Sequence, residues 1–371
     1  SLENDMAKYN IVISGYYGFH NAGDEAMLLA ILQALRKTFD APSITVISGN
    51  PSDTARTFGV KAVPRFGILP ILSSLFRTDL LISGGGSLLQ DVTSWKSMIY
   101  YLTIIIVGVL FRKQVFLYSQ GIGPVRYRII RIILKHVLNH VDAITVRDSE
   151  SKGFLQRLGV HRTIYTTADA VLSLDPVSLE KGKEILARDH VDPSKKRVGI
   201  AIRSWADTSR WMKPLRAYIE RLTREKDCSV VLIPMQFPED KRAAEAEIEE
   251  SDRVHVLKES YSIEELISLM GNMDVVVGMR LHAMIFSALM HVPFLGISYD
   301  PKIDNFLALI HRKASCSIHH MDAETLYKDT CRFLDAPASP EEWKQVDELR
   351  KQACENVKIL KSLVNHKEEN K

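Results

Sequence analysis

"NIVISGYYGFHNAGDEAMLLAILQALRKTF" (Asn10–Phe39) decides the fold class. Asn10 to Ser14 is a short β-branched run suited to a buried strand. A glycine-bearing loop follows, and apolar residues then recur at helical spacing from Asp24 to Phe39. Strand, loop and helix in that order make the first half of a βαβ unit, and the alternation continues nearly to the end of the chain. Further strands are read at Ile44–Ile47, Leu80–Ser83, Gln114–Tyr118 and Ala143–Val146, with helices over Thr93–Phe111 and around Arg131. They complete a doubly wound first domain. The polar stretch Asp175 to Lys196, holding Pro176 and Pro193, reads as a linker. After it come strands Val198–Ile202, Val230–Ile233, Val254–Leu257, Val275–Val277 and Phe294–Ile297. Helices near Tyr218 and over Glu239–Glu250, Ile263–Met270 and Leu281–Met290 separate them, and a charged helix from about Pro340 to Asn365 closes the chain. The expectation is two Rossmann-like α/β domains, 1–175 and 176–371, facing a central cleft at the carboxyl ends of their strands.

Composition limits the function. The 371 residues carry 48 Lys and Arg against 45 Asp and Glu, too balanced for a generic nucleic-acid coat, and 46% are hydrophobic, as in a packed protein. Charge is nonetheless uneven: between Arg112 and Arg162 ten basic residues face three acidic ones, concentrated in "RYRIIRIILKH" (Arg126–His136). This is either a solvated amphipathic helix or a face for phosphates or an anionic leaflet. The four cysteines (Cys228, Cys316, Cys331, Cys354) form no CxxC pair and read as reduced thiols of a cytoplasmic protein. The longest uncharged run, Ser97 to Phe111, has 15 residues, short of a helical span, and reads as a buried core helix.

Four strand ends of the first half carry glycines or polar groups. "SGYYGFHNAGDEAM" (Ser14–Met27) resembles an anion cradle but lacks the Lys-Ser/Thr of a P-loop and the glycine spacing of a dinucleotide fingerprint. Asp24 and Glu25 at the helix start either complement the helix dipole or act as general acid and base. In "SGGGSLLQD" (Ser83–Asp91), Gly84, Gly85, Gly86 and Ser87 offer bare amides to a phosphate or carboxylate, or serve tight strand–helix packing. "SQGIGP" (Ser119–Pro124) and "TVRDSES" (Thr145–Ser151) end two more strands. Arg147 either binds an anion or pairs with Asp148 or Glu150. In the second half, "DVVVGMRLHAMIFSAL" (Asp274–Leu289) sets Arg280 and His282 at a strand-to-helix turn, where a phosphate ligand or proton donor fits. Arg203 and Lys302 follow strands in the same way, or are ordinary surface charge. With no HExxH, zinc spacing or GxSxG elbow, neither metal nor covalent catalysis is indicated.

Taken together, "GYYGFHNAGDEAM", "ISGGGSLLQD", "QGIGP", "TVRDSES", "ADA" (Ala168–Ala170) and "GMRLHA" (Gly278–Ala283) resemble the polysaccharide pyruvyltransferase family. Within it, the likeness is to enzymes that modify the secondary cell-wall polymer anchoring S-layers in Gram-positive bacteria. The resemblance implies a glycosyltransferase type B-like fold and phosphoenolpyruvate as donor substrate, with no further cofactor. It implies a lipid-diphosphate-linked ManNAc-GlcNAc acceptor, a 4,6-linked pyruvate ketal as product and release of phosphate. It also implies cytoplasmic work at the inner face of the cell membrane, peripheral membrane contact and no nucleic-acid partner. His282, Asp24 and Glu25 would then handle protons. Arg147, Arg203, Arg280 and Lys302, with Gly84 to Ser87, would hold the donor, whose charge is about −3. Tyr16, Tyr17, His20 and Asn21 would meet the acceptor. A nucleotide-sugar glycosyltransferase and a non-catalytic anion-binding protein are the competing readings.

Overall fold

The computed structural model describes residues 9–204 and 208–369. Its chain divides into two compact units, one of residues 9–20, 24–173 and 350–369, the other of 21–23 and 174–349.

The first unit runs β1 (Asn10–Ser14), α1 (Ala22–Thr38), β2 (Ser43–Ser48), α2 (Pro51–Phe58), β3 (Lys61–Pro64), α3 (Ile68–Arg77), β4 (Leu80–Ser83) and α4 (Trp95–Leu110). It continues through β5 (Gln114–Gln120), α5 (Arg128–Leu138), β6 (Ala143–Val146), α6 (Ser149–Leu158) and β7 (Ile164–Thr166). The strands form one parallel sheet ordered β3-β2-β1-β4-β5-β6-β7. In its centre Ile13 lies between Val46 of β2 and Ile82 of β4. Central strands are covered on both faces, which is why β4 and β6 are apolar or small at every position and wholly buried. Local chemistry sets the helix ends. Asn50 caps α2 ahead of Pro51, and Gly59 closes it in the left-handed region. Asp148 caps α6, accepting from Ser151 N at 2.8 Å. The uncharged run at Ser97–Phe111 does form a core helix, α4, which buries Met98, Tyr101, Leu102, Ile104 and Ile105. Among the described residues no helix is long and apolar enough to cross a membrane.

The second unit holds α7 (Glu180–Arg188), β8 (Arg197–Ala201), α8 (Thr208–Glu225), β9 (Ser229–Leu232), α9 (Glu239–Glu247), β10 (Val254–Val256) and α10 (Ile263–Gly271). It then adds β11 (Val275–Gly278), α11 (Leu281–Leu289), β12 (Phe294–Ser298), α12 (Pro301–Leu309), β13 (Cys316–Ser317), α13 (Ala323–Asp335) and the start of α14 (Pro340–Glu369). Its parallel sheet is ordered β10-β9-β8-β11-β12-β13.

Two expectations need correction. The stretch Asp175–Lys196 is not a free linker: α7 packs on α10, where Ser268 Oγ accepts from Gly182 N and donates to Ser178 O. Nor does the chain stay in one domain from 176 to 371. From Arg350 onward α14 belongs to the first unit. There Asn356 is fully buried and its Oδ1 accepts from the hydroxyls of Thr145 and Thr167, while Gln114 Nε2 donates to Leu363 O.

Candidate active site

In the first unit the strand order reverses between β1 and β4. The loops leaving Ser14 and Ser83 therefore flank the crevice where open α/β sheets take ligands. The β4 loop is tightly organised. Gly84 N donates to Ser14 O at 2.7 Å, so that amide is already used and is not open to an anion. A Cβ on Gly84 would overlap the Tyr17 hydroxyl, and one on Gly85 would meet Met27 at 2.5 Å. These two glycines serve close packing, the alternative role open to them in the sequence. Gly86 sits at φ +92°, and its missing side chain leaves room beside Asp24 Oδ1. Gln120 Nε2 ties the loop down by donating to Ser83 O, Ser83 Oγ and Gly84 O.

Arg147 leaves β6 and reaches back along this edge. Its guanidinium packs over Gly121, where a Cβ would lie 2.6 Å from it, and donates to Ser87 Oγ at 3.1 Å. Asp148 approaches it only to 3.8 Å, because that carboxylate is occupied in capping α6. The structure thus brings together Gly86, Ser87 and Arg147 from two strand ends.

Asp24 and Glu25 lie in the first turn of α1. Glu25 Oε1 accepts from Gly18 N at 2.8 Å, which folds the β1 loop back on the helix. Burial pushes the Glu25 carboxyl up to about 7, with the neighbouring Asp24 and Asp53 charges adding to the rise and the Gly18 amide opposing it. A carboxyl poised there at neutral pH can both accept and return a proton.

The loop residues separate. Tyr16 stacks on Phe19 with ring centroids 4.2 Å apart, and Arg65, just after β3, lies over Phe19 and Tyr100 at 5.1 and 5.0 Å. Tyr17 is 1% exposed; its ring fills the space left by Gly15 and Gly84, so it is a core residue and not a surface open to a sugar. His20 is exposed at φ 55°. Asn21 belongs to the second unit, where it bridges Gln236, and next to it Ala22 N donates to Met235 O at 3.0 Å.

In the second unit the order reverses between β8 and β11, and Arg203, Arg280 and His282 all follow those two strands. Arg203 lies flat on Tyr299, 4.1 Å from the ring centroid. Arg280 is held by a carboxylate: Nε and Nη2 donate to the two oxygens of buried Asp240 at 3.0 and 2.6 Å, and Nη2 also reaches Gln236 Oε1 at 3.3 Å. Two of its donor positions are thereby used within the protein, which departs from an arginine reserved for donor binding. His282 occupies the first turn of α11, with its imidazole against Gly23; a Cβ there would overlap Nδ1. Lys302 is exposed in the first turn of α12, its backbone N–H donating to the Asp300 cap at 2.7 Å.

Arg65, Asp240 and Tyr299 escaped the sequence reading. Arg65 directly follows "KAVP" (Lys61–Pro64), a strand too short to stand out, while Asp240 and Tyr299 gain meaning only through partners distant in sequence. No group of three or more His, Cys, Asp or Glu placed to hold a metal ion occurs among the described residues.

The two doubly wound sheets give the fold of sugar-nucleotide epimerases and glycosyltransferases of the B type. A putative UDP-N-acetylglucosamine 2-epimerase from Listeria monocytogenes superposes with a TM-score of 0.66 at 14% identity, covering 97% of each chain. The UDP-GlcNAc 2-epimerase of Methanocaldococcus jannaschii gives 0.66 at 13% identity, covering 95% of this chain and 99% of that one. The ADP-heptose lipopolysaccharide heptosyltransferase II of E. coli gives 0.51 at 15%, covering 88% and 98%. At such identities the likeness is one of fold. Sequence is more specific: the family model described as polysaccharide pyruvyl transferase matches residues 21–301, and the chain belongs to that family. It is also 21% identical over 259 residues to the amylovoran biosynthesis protein AmsJ of Erwinia amylovora, across 65% of this chain. That match spans 61% of the relative's length, less than two thirds. The matched region contains Asp24, Glu25, Arg147, Arg203, Arg280 and His282, and leaves Tyr16, Tyr17, His20 and Lys302 outside it.

Proposed function

We propose that the protein transfers pyruvate from phosphoenolpyruvate to two hydroxyls of one sugar in a polysaccharide precursor, forming a ketal and releasing phosphate. Family membership across residues 21–301 carries this reading, since it takes in the titratable Glu25 as well as Arg147, Arg203, Arg280 and His282. The chemistry asks for such groups. Protonation of the enol methylene creates an oxocarbenium centre; a sugar hydroxyl adds to it and loses its proton. Phosphate then leaves, and a second hydroxyl adds and loses its proton. Of the two hydroxyl protons, one balances the new methyl group and the other the released phosphate. His282 is assigned to protonate the methylene or the leaving phosphate, and Glu25 or Asp24 to accept the hydroxyl proton. Arg147 and Arg203 are assigned to the donor's carboxylate and phosphate. Lys302, exposed on α12, is the remaining cation of this scheme, and Arg280 contributes through whatever its pairing with Asp240 leaves open.

The acceptor proposed is an N-acetylmannosamine held on a lipid diphosphate, pyruvylated at its 4- and 6-hydroxyls. The setting is the cytoplasmic side of an S-layer-bearing Gram-positive cell. The acceptor surface on this chain reduces to Tyr16 and His20 of the β1 loop, with Arg65 and its aromatic neighbours beside them. His282→Ala tests the role assignment: product formation should fall by at least a hundredfold with the unfolding midpoint unchanged. A folded variant that retains wild-type turnover refutes the role of His282.

A further inference from the structure

Three consecutive helices on one side of the first sheet share an unusual composition. Residues 65–78, 92–113 and 126–138, which contain α3, α4 and α5, hold nine Lys and Arg and no Asp or Glu. Elsewhere about one residue in seven is acidic. The inner sides of these helices fill the core through Ile71, Leu75, Leu102, Ile105, Ile130 and Leu134. Their outer sides are apolar too. On α3, Ile68, Leu69, Leu72 and Phe76 recur at helical spacing and stand in solvent, Leu69 at 78% and Phe76 at 69% exposure. On α5, Ile129 and Ile132 do the same between exposed Arg128 and Arg131. The surface is continuous: α3 packs on α4 and α4 on α5, Phe76 meets Phe111 edge-on at 5.9 Å, and Lys113 lies 5.7 Å above the Phe76 ring.

We infer that the outer face of α3, α4 and α5 is a docking surface for an anionic phospholipid bilayer. Large aliphatic and aromatic side chains ringed by cations match the acyl boundary and the anionic headgroups of such a layer. A second copy of the same face fits poorly, because a two-fold contact would set the exposed Arg77, Lys96, Arg112, Arg126, Arg128 and Arg131 against their own copies, with no carboxylate in these segments to neutralise them. An exposed apolar patch of this kind marks an interaction site rather than an idle surface. The face also reaches the chemistry of its own unit. α3 begins three residues after Arg65, at the carboxyl end of β3 and on the edge that carries the β1 and β4 loops. A docked protein would present this edge to headgroups held in the lipid. The docking surface stands independently of pyruvyl transfer; only its service to a lipid-held acceptor rests on that reading.

The test is sedimentation of the purified protein with vesicles of phosphatidylcholine, and of phosphatidylcholine containing phosphatidylglycerol, at physiological and high salt. Wild type should sediment with the anionic vesicles and be released by salt. Leu69→Glu with Phe76→Glu should reduce binding at least tenfold, and Arg128→Glu with Arg131→Glu by roughly fivefold for each cation removed. All the altered side chains are exposed, so unfolding midpoints should match wild type; should the glutamate pair unfold the protein, Leu69→Ser with Phe76→Ser replaces it. Wild type that ignores anionic vesicles, or variants that bind them equally well, overturns the inference. So does self-association of wild type that Leu69→Glu abolishes while vesicles go unbound, which would make the face a protein interface. Turnover of a short-chain, water-soluble acceptor separates the two readings. Vesicle binding without turnover refutes pyruvyl transfer alone, and turnover equal in wild type and variants without vesicle binding refutes docking alone.

Discussion

Glu25→Gln should make the protein more stable at alkaline pH while changing nothing at acid pH. Burial raises the Glu25 carboxyl from 4.5 to about 7 in the folded chain. Below 4.5 both the folded and the unfolded chain hold the proton. Between 4.5 and 7 the folded chain retains a proton that the unfolded chain releases, so stability falls as pH rises. Above 7 both forms are ionised and the full cost remains. A rise of about 2.5 units corresponds to roughly 3 kcal/mol, or about 6–12 °C in the unfolding midpoint of a unit this size. Glutamine cannot ionise, yet its Oε1 can still accept from Gly18 N, so the β1 loop keeps its anchor. Differential scanning calorimetry of wild type and variant from pH 4.5 to 8.5 measures the effect. The two midpoints should coincide at the acid end and separate steadily up to about pH 7. Parallel profiles, or a variant less stable at pH 8, would show that Glu25 is not held protonated by burial and would remove the reason for assigning it a proton at neutral pH.

Three further outcomes follow from the geometry. Arg147→Ala should raise the KM for phosphoenolpyruvate tenfold to a hundredfold, the value of one or two charge-assisted hydrogen bonds, with Arg147→Lys recovering part of it; steady-state kinetics decide, and an unchanged KM places Arg147 outside the donor site. Asp240→Ala should destabilise the second unit by about 3–5 kcal/mol by leaving a guanidinium largely buried without its partner. Arg280→Met added to it should recover much of the loss, so additive effects in urea unfolding would contradict the pairing. Gly23→Ala drives a methyl into the His282 imidazole and should cost about 1–3 kcal/mol together with a fall in kcat, whereas wild-type melting and turnover would show that the contact is slack.

The legible part of the fold was its interior. β4, β6 and β11 announce themselves because strands buried on both faces cannot carry charge, and the helices between them show an apolar stripe. Of the elements that escaped, three show why. β3 has four residues and includes Lys61 and Pro64, both suited to an edge strand. α3 is apolar on its solvent side as well as its core side, so its sequence lacks the polar face that marks a surface helix. α7 looked like a linker because it buries only Gly182, Ile185 and Leu186 among charges. The candidate site divides similarly. Ser87 and Arg147 follow strand ends, and Asp24 and Glu25 open a helix, positions visible in one dimension. That Tyr17 is core, that Gly84 has spent its amide and that Arg280 is paired with Asp240 are facts of packing between residues tens of positions apart, and no local pattern carries them.

The most direct test of the account is phosphate release from phosphoenolpyruvate by the purified protein, with and without an N-acetylmannosaminyl-N-acetylglucosamine diphospholipid analogue, followed by mass analysis of the sugar. Acceptor-dependent release with a pyruvate ketal on the sugar is the predicted result. Consumption of a nucleotide sugar in place of phosphoenolpyruvate, with a lengthened glycan and no pyruvate adduct, would contradict it.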